Sequence, residues 1–147
     1  YYHGYRLLQK NNREPAFPFG FGLHYTDFTY TGLKTDNSEY STGQAITVTV
    51  TVKNTGEMEG DEIVQVYSSQ DSPPVDRPVL ELREFQRISL PPGKAQQVRI
   101  AVPVKSLGYV HPETMEWTVN AGKYFLFAGP SSDPECLLQT EIWVNPG

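Results

Sequence analysis

Hydrophobic and polar side chains alternate along several short stretches of this chain, and the alternation predicts β-strands. The clearest stretch is 45–53, where every second residue is Ile or Val and the residues between them are Thr. A side-chain period of two is typical of a strand that buries one face and exposes the other. The stretch 96–104 repeats this pattern, and its Pro103 predicts an edge strand because proline cannot donate to a ladder.

Weaker patterns predict further strands between turn residues, at 26–33, 62–69, 81–90, 120–129 and 137–144. We expect a bulge in 81–90, and a central position for 120–129 because that stretch is apolar on both faces. Two short extended pieces are predicted around the His111-Pro112 turn, and a long loop with three prolines at 68–80. In the turn 91–94, Gly93 is expected to take the positive φ of a type II turn.

Together these elements indicate an all-β fold. About seven to eight short strands without a convincing helix favour an antiparallel two-sheet sandwich of the immunoglobulin or fibronectin type III kind. The twelve prolines and twelve glycines suit many short elements joined by turns. Residues 1–25 do not fit the strand pattern, so we expect an irregular N-terminal linker at 1–25 and the sandwich at 26–147.

Charge and composition narrow the possible partners. The net charge is −5 and no basic run stands out, so nucleic acid is not an expected partner. No apolar run approaches the ~20 residues that span a bilayer, and no signal peptide is visible, so no membrane partner is expected. The chain opens on Tyr1, which suggests a piece of a longer protein.

A search for reactive groups finds no expected catalytic, cofactor or metal site. Carboxylates such as Asp61 and Glu62 are expected to be solvated near turns, and the three histidines lack metal-ligand spacing. The single Cys136 excludes an internal disulfide and is expected to be a small, partly buried residue. Aromatic residues such as Trp117 and Trp143 could stack on sugars, although packing is the favoured interpretation.

Several stretches, in order along the chain, resemble glycoside hydrolase family 3 enzymes, the β-glucosidases and their relatives. "GYRLLQKNNREPAFPFGFGLHYTDFTY" (4–30) is similar to the joint between that family's α/β domain and its C-terminal fibronectin type III-like domain. "DEIVQVYSS" (61–69), "RPVLELREFQRISLPPGK" (77–94) and "NAGKYFLFAGPSS" (120–132) are similar to later strands of the same domain. His24 stands where the joint motif usually has Ser, and Gln9 where Asp is common.

The resemblance implies a non-catalytic domain that braces the catalytic domains of a retaining β-glycosidase. It places 1–25 at the tail of the preceding α/β domain and implies interdomain packing by Tyr5, Arg6, Phe17, Phe19, Phe21, His24 and Tyr25. The catalytic Asp and Glu would lie in other domains, and the parent would be secreted or periplasmic. Two alternatives stay open, a module that binds polysaccharide through the 68–80 loop and exposed aromatics, and a stand-alone structural or adhesive sandwich.

Overall fold

The computed structural model of the chain describes residues 26–71, 73 and 80–146. The predicted linker 1–25, and with it all seven residues assigned to interdomain packing, lies outside the described residues. Most of the predicted 68–80 loop lies outside them as well.

The described residues form ten strands and two single 3-10 turns, which confirms the all-β prediction. Seven strands have seven or more residues, in agreement with the expected seven to eight, and three more have only two residues each. The strands are β1 (Phe28–Thr35), β2 (Glu39–Tyr40), β3 (Ala45–Asn54), β4 (Gly60–Gln70), β5 (Glu81–Leu90), β6 (Ala95–Pro103), β7 (Tyr109–Val110), β8 (Trp117–Thr118), β9 (Gly122–Gly129) and β10 (Leu138–Val144). The 3-10 turns are Val104–Leu107 and Pro134–Cys136.

Two sheets enclose the core, and a small two-stranded ribbon lies in the connection that leads from the first sheet to the second. The first sheet has the order β1-β3-β6 and the second the order β2-β10-β9-β4-β5, while β7 and β8 form the ribbon. Neighbouring strands are antiparallel except β2 and β10, which pair in parallel over two residues. The central position of β9 and the edge position of β6 are both confirmed.

The alternating residues of the strands meet between the sheets. The four alternating residues of β3 are at most 1% exposed, and Val64 and Val66 of β4 are fully buried opposite them. Burying a side chain of this size contributes about 1.5–3 kcal/mol relative to leaving it in water. Period-two burial in both sheets is therefore the main source of stability.

Local backbone features follow the predicted chemistry. Gly93 has φ of 73°, and the amide of Lys94 donates to the carbonyl of Pro91 across the turn. The predicted bulge lies in β5, where Val66 faces Glu84 and Tyr67 faces Leu82, so that Arg83 is the extra residue.

The predicted start of the long loop at 68 is wrong, because β4 runs on to Gln70. Its last residues pair with β9, with Ser69 opposite Phe125 and Gln70 opposite Tyr124. Pairing with a central strand keeps these polar residues extended, although nothing in their local composition marks them as a strand.

Candidate functional site: the entry point of the chain and the surfaces around it

The first described residue, Thr26, is the point at which the chain enters the sandwich, and it is held by a buried asparagine. The Thr26 hydroxyl donates to Oδ1 of Asn54 at 2.7 Å, and Oδ1 also accepts the amide of Gly56 at 3.0 Å. The Asn54 amide group donates to the carbonyls of Met58 and Leu90 at 2.8 and 2.9 Å. Asn54 is 0% exposed, and its bonds to Thr26 and Leu90 are buried, whereas those to Gly56 and Met58 are partly buried.

Two glycines let the chain approach this asparagine closely. A Cβ at Gly56 would overlap the Thr26 hydroxyl, and a Cβ at Gly60 would lie 2.5 Å from the Thr26 methyl group. The backbone of Asp27 is fixed as well, because its carbonyl accepts the amide of Thr55 at 2.8 Å. Thr26, Asn54, Gly56 and Gly60 are called the Thr26 anchor below.

The Thr26 anchor is not among the features predicted from the sequence, although the sequence carries a signal for it. Asn54 continues the alternation of Val50 and Val52, so the period of two already places it on the buried face. A polar residue at a buried position requires hydrogen-bond partners. The two glycines that follow at 56 and 60 supply the space for them.

The expectation that the carboxylates near turns are solvated is wrong for Glu62, which is only 3% exposed. It lies opposite Ile88 on the inner face of β4, and its Oε1 accepts the amide of Ile63 at 3.0 Å. Burial, followed by the negative charge of Glu62, raises the pKa of Tyr30 far above the ordinary range of a phenol. The phenol therefore stays protonated beside this carboxylate.

A second buried carboxylate, Glu81, lies at the other end of the same pair of strands. It forms an ion pair with Arg83 at 3.2 Å, and both side chains are less than 10% exposed. Arg83 also donates to the Ser68 hydroxyl at 2.7 Å and to the Ser106 carbonyl at 2.5 Å. The bulge thus places an arginine where Ser68, Ser106 and Glu81 bind its guanidinium, and the Ser106 contact ties β5 to the first 3-10 turn.

Glu62 and Glu81 are too far apart to act together as glycosidase carboxylates. Glu62 is on β4, and Glu81 faces Ser68, which lies six residues further along β4, or about 20 Å away. Retaining glycosidases hold their two carboxyl groups about 5–5.5 Å apart. Both side chains therefore serve the packing of the sandwich.

Other reactive side chains are also in ordinary surroundings. Cys136 is exposed, which overturns the expected partial burial, since it lies in a 3-10 turn at the surface. Local desolvation and the charges of Asp133 and Glu135 raise the pKa of its thiol, which disfavours the reactive thiolate. Within the described residues, no group of three His, Cys, Asp or Glu side chains could hold a metal ion.

The first sheet carries a shallow groove on its outer face. It has a volume of about 250 Å³ and only polar or charged lining residues, among them Lys34, Asp36 and Arg99. The Tyr40 hydroxyl and the Thr47 amide hold the pKa of Asp36 below its usual value. A groove without an aromatic wall offers no platform on which a sugar ring could stack.

Exposed apolar side chains lie mainly outside this groove. Ile63 and Phe85 are 46% and 60% exposed on the outer face of the five-stranded sheet, where an antiparallel sheet usually presents polar residues. Trp143, also in that sheet, and Trp117, in the β7–β8 ribbon, are about half exposed. The Trp117 indole nitrogen donates to the Lys105 carbonyl at 2.8 Å, which fixes the ring.

Comparison with known proteins assigns the fold to a family. Residues 62–132 match the family described as Fibronectin type III-like domain. The chain is 36% identical over 142 residues to the thermostable β-glucosidase B of Acetivibrio thermocellus, with 97% of this chain and 19% of that protein covered. It is 42% identical over 133 residues to a β-glucosidase of Kluyveromyces marxianus, with 88% and 15% covered.

A solved structure of a β-glucosidase agrees with these two sequence matches. The structure of β-glucosidase 3B from Thermotoga neapolitana in complex with α-D-glucose superimposes with a TM-score of 0.85 at 33% identity. The match covers 97% of this chain and 19% of that one. The chain thus spans about a fifth or less of the length of these relatives.

Over residues 62–132 the sandwich is therefore a fibronectin type III-like domain. More particularly, it is a domain of the kind that family 3 β-glucosidases carry as a small, non-catalytic part, consistent with their C-terminal domain. The resemblance read from the sequence is confirmed. Within the described residues, no helix is long and apolar enough to cross a membrane.

Proposed function

We propose that this domain braces the catalytic part of a retaining β-glycosidase of the β-glucosidase or β-xylosidase type. The observation that carries the proposal is the Thr26 anchor, which fixes the direction in which the chain enters the sandwich. Four hydrogen bonds around one fully buried asparagine hold the backbone more firmly than an ordinary surface turn requires. They suit a joint that must hold two rigid bodies in one orientation.

The domain boundary in this proposal lies between residues 25 and 26. Residues 1–25 form the tail of the preceding domain, and Phe17, Phe19 and Phe21 pack against the surface of that domain. Each aromatic side chain buried there would contribute about 1.5–3 kcal/mol to docking. Tyr5, Arg6, His24 and Tyr25 complete the proposed contact.

The test is the heat resistance of activity in the full-length parent enzyme. We expect removal of residues 26–147 to shorten the half-life of aryl β-glucoside hydrolysis at the inactivation temperature at least tenfold. That factor corresponds to about 1.4 kcal/mol, less than a single buried aromatic ring contributes. An unchanged half-life would show that the domain does not brace the enzyme.

Polysaccharide binding is the second candidate function. It is favoured by Trp117, whose ring is fixed by its hydrogen bond to Lys105 while half of its surface stays exposed. Calorimetric titration with cello- and laminari-oligosaccharides tests it, with Trp117→Ala as the comparison. Equal and flat traces for both proteins would remove this candidate.

Secretion or a periplasmic location of the parent is proposed from the family resemblance alone. It is tested by fractionating the native host and locating the full-length enzyme by immunoblot. Full-length enzyme found only in the cytoplasmic fraction would contradict the proposal.

A further inference from the structure

The five-stranded sheet has an apolar patch at its β5 edge. Ile63 lies opposite Arg87, and Phe85 lies opposite Gln65, so Ile63 and Phe85 are diagonal neighbours on the outer face. Diagonal side chains in antiparallel sheets are about 7–8 Å apart, within reach of an aromatic ring. Ile63 and Phe85 are called the edge patch below.

Strand β5 lies at one end of the strand order of its sheet. It is the last strand of its sheet in the described part of the chain, it has ten residues, and no proline interrupts it. Phe85, Gln86 and Arg87 are exposed in succession, so neither face of the strand is covered there. A long edge strand with an exposed aromatic ring is a surface that natural proteins usually protect.

The edge patch lies towards the end of β4 at which the chain enters the sandwich, although Thr26 packs against the inner face of that strand and the patch is on its outer face. Gly60 of the Thr26 anchor faces Leu90, and Ile63 follows three residues later, about 10 Å along β4. Phe85 lies two rows beyond, about 17 Å along the strands from the row of Gly60. Whatever precedes Thr26 in the parent is therefore attached at the end of the sandwich that is nearer to the edge patch.

We propose that the edge patch is a surface on which the catalytic part of the parent enzyme docks. This inference rests on the proposed bracing function and names the face that performs it. The relatives support this occupant, because four fifths or more of each β-glucosidase lies outside the matched region. The docking surface is apolar at its centre, and the exposed Arg87–Asp61 ion pair forms its polar rim.

A matched pair of substitutions tests the edge patch in the full-length parent. The double variant Ile63→Thr/Phe85→Thr removes apolar surface but keeps residues with high strand propensity, so the sandwich itself is little affected. Val110→Thr is the control, because Val110 is 52% exposed on the β7–β8 ribbon, in another sheet. We expect the double variant to shorten the heat-inactivation half-life at least tenfold and the control to change it less than twofold.

The outcomes separate the two proposals. If removal of residues 26–147 shortens the half-life but the double variant behaves like Val110→Thr, bracing stands and the edge patch is not the docking face. If removal has no effect, the bracing function itself is wrong. If the double variant changes the oligomeric state but not the half-life, the occupant is a second copy and the inference is overturned.

Footprinting gives a direct reading that does not depend on any variant. Hydroxyl-radical oxidation of the full-length enzyme should modify Phe85 at least fivefold more slowly than its 60% exposure implies, while Met115, 73% exposed, reacts freely. Phe85 oxidised at the rate expected for an open ring would overturn the inference.

Discussion

Replacing Asn54 by alanine is the most direct test of the Thr26 anchor. The side chain makes four hydrogen bonds and is fully buried, so truncation leaves two carbonyls, one amide and one hydroxyl without these partners. With about 1 kcal/mol for each bond, the expected loss is roughly 4 kcal/mol. Domains of this kind have a total unfolding free energy of about 5–15 kcal/mol, so the loss is a large fraction.

The assay is chemical denaturation of the 147-residue chain followed by circular dichroism, with Asn37→Ala as the control. Asn37 is exposed, and its substitution should change the unfolding free energy by less than about 0.5 kcal/mol. Thr26→Val removes a single donor to Asn54 and should cost about 1 kcal/mol. In the double variant Thr26→Val/Asn54→Ala that cost should largely disappear, because the two residues act through one bond.

Two results would refute this reasoning. A loss for Asn54→Ala within 1 kcal/mol of the Asn37→Ala control would show that the four bonds do not stabilise the fold. Strict additivity of Thr26→Val and Asn54→Ala would show that Thr26 is not held through Asn54.

Three further predictions follow from the same structure. Gly56→Ala should destabilise the chain by more than about 1 kcal/mol because its Cβ has no room, whereas Gly43→Ala, with open space around it, should be neutral or slightly stabilising in a melting experiment. Arg83→Ala should lower the unfolding free energy by about 3–5 kcal/mol, because it leaves the buried Glu81 carboxylate without its ion-pair partner. Arg87→Ala, in an exposed ion pair, should lower it by less than about 1 kcal/mol. Similar losses for the two variants in denaturant titrations would contradict this. Asp36 has a lowered pKa in the folded chain, so its contribution to stability is present above the ordinary value of 3.8 and is lost as the pH falls below it. Asp36→Asn should therefore flatten the decline of the melting temperature in acid. An unchanged decline would be evidence against this prediction.

The alternating strands could be read from the sequence because one face of each is buried. In β3 and β6 the period of two predicts both the strand and the face of it that is buried. In the turn before β6, the positive φ is adopted by a glycine, Gly93, as predicted. The same period places Asn54 and Glu62 inside, since each continues a buried series. At Glu62 the expectation that carboxylates near turns are solvated is wrong, because the pattern of alternation already places this residue on the buried face.

Other features depend on distant parts of the chain and have no local signal. The two-residue strand β2 exists because it pairs with β10, about a hundred residues away along the chain. The burial of Arg83 depends on the bulge and on Ser106 of a 3-10 turn. The edge patch could not be predicted either, because exposure of Phe85 follows from the strand order of the sheet.

We propose that this domain supports catalysis carried out elsewhere in its parent. The measurement that tests it most directly is hydrolysis of aryl β-glucosides by the rigorously purified 147-residue chain, beside the full-length enzyme at equal molarity. We expect turnover by the full-length enzyme and none by the 147-residue chain. Turnover that stays with the chain through orthogonal purification steps, and that is lost when the chain is unfolded, would contradict it.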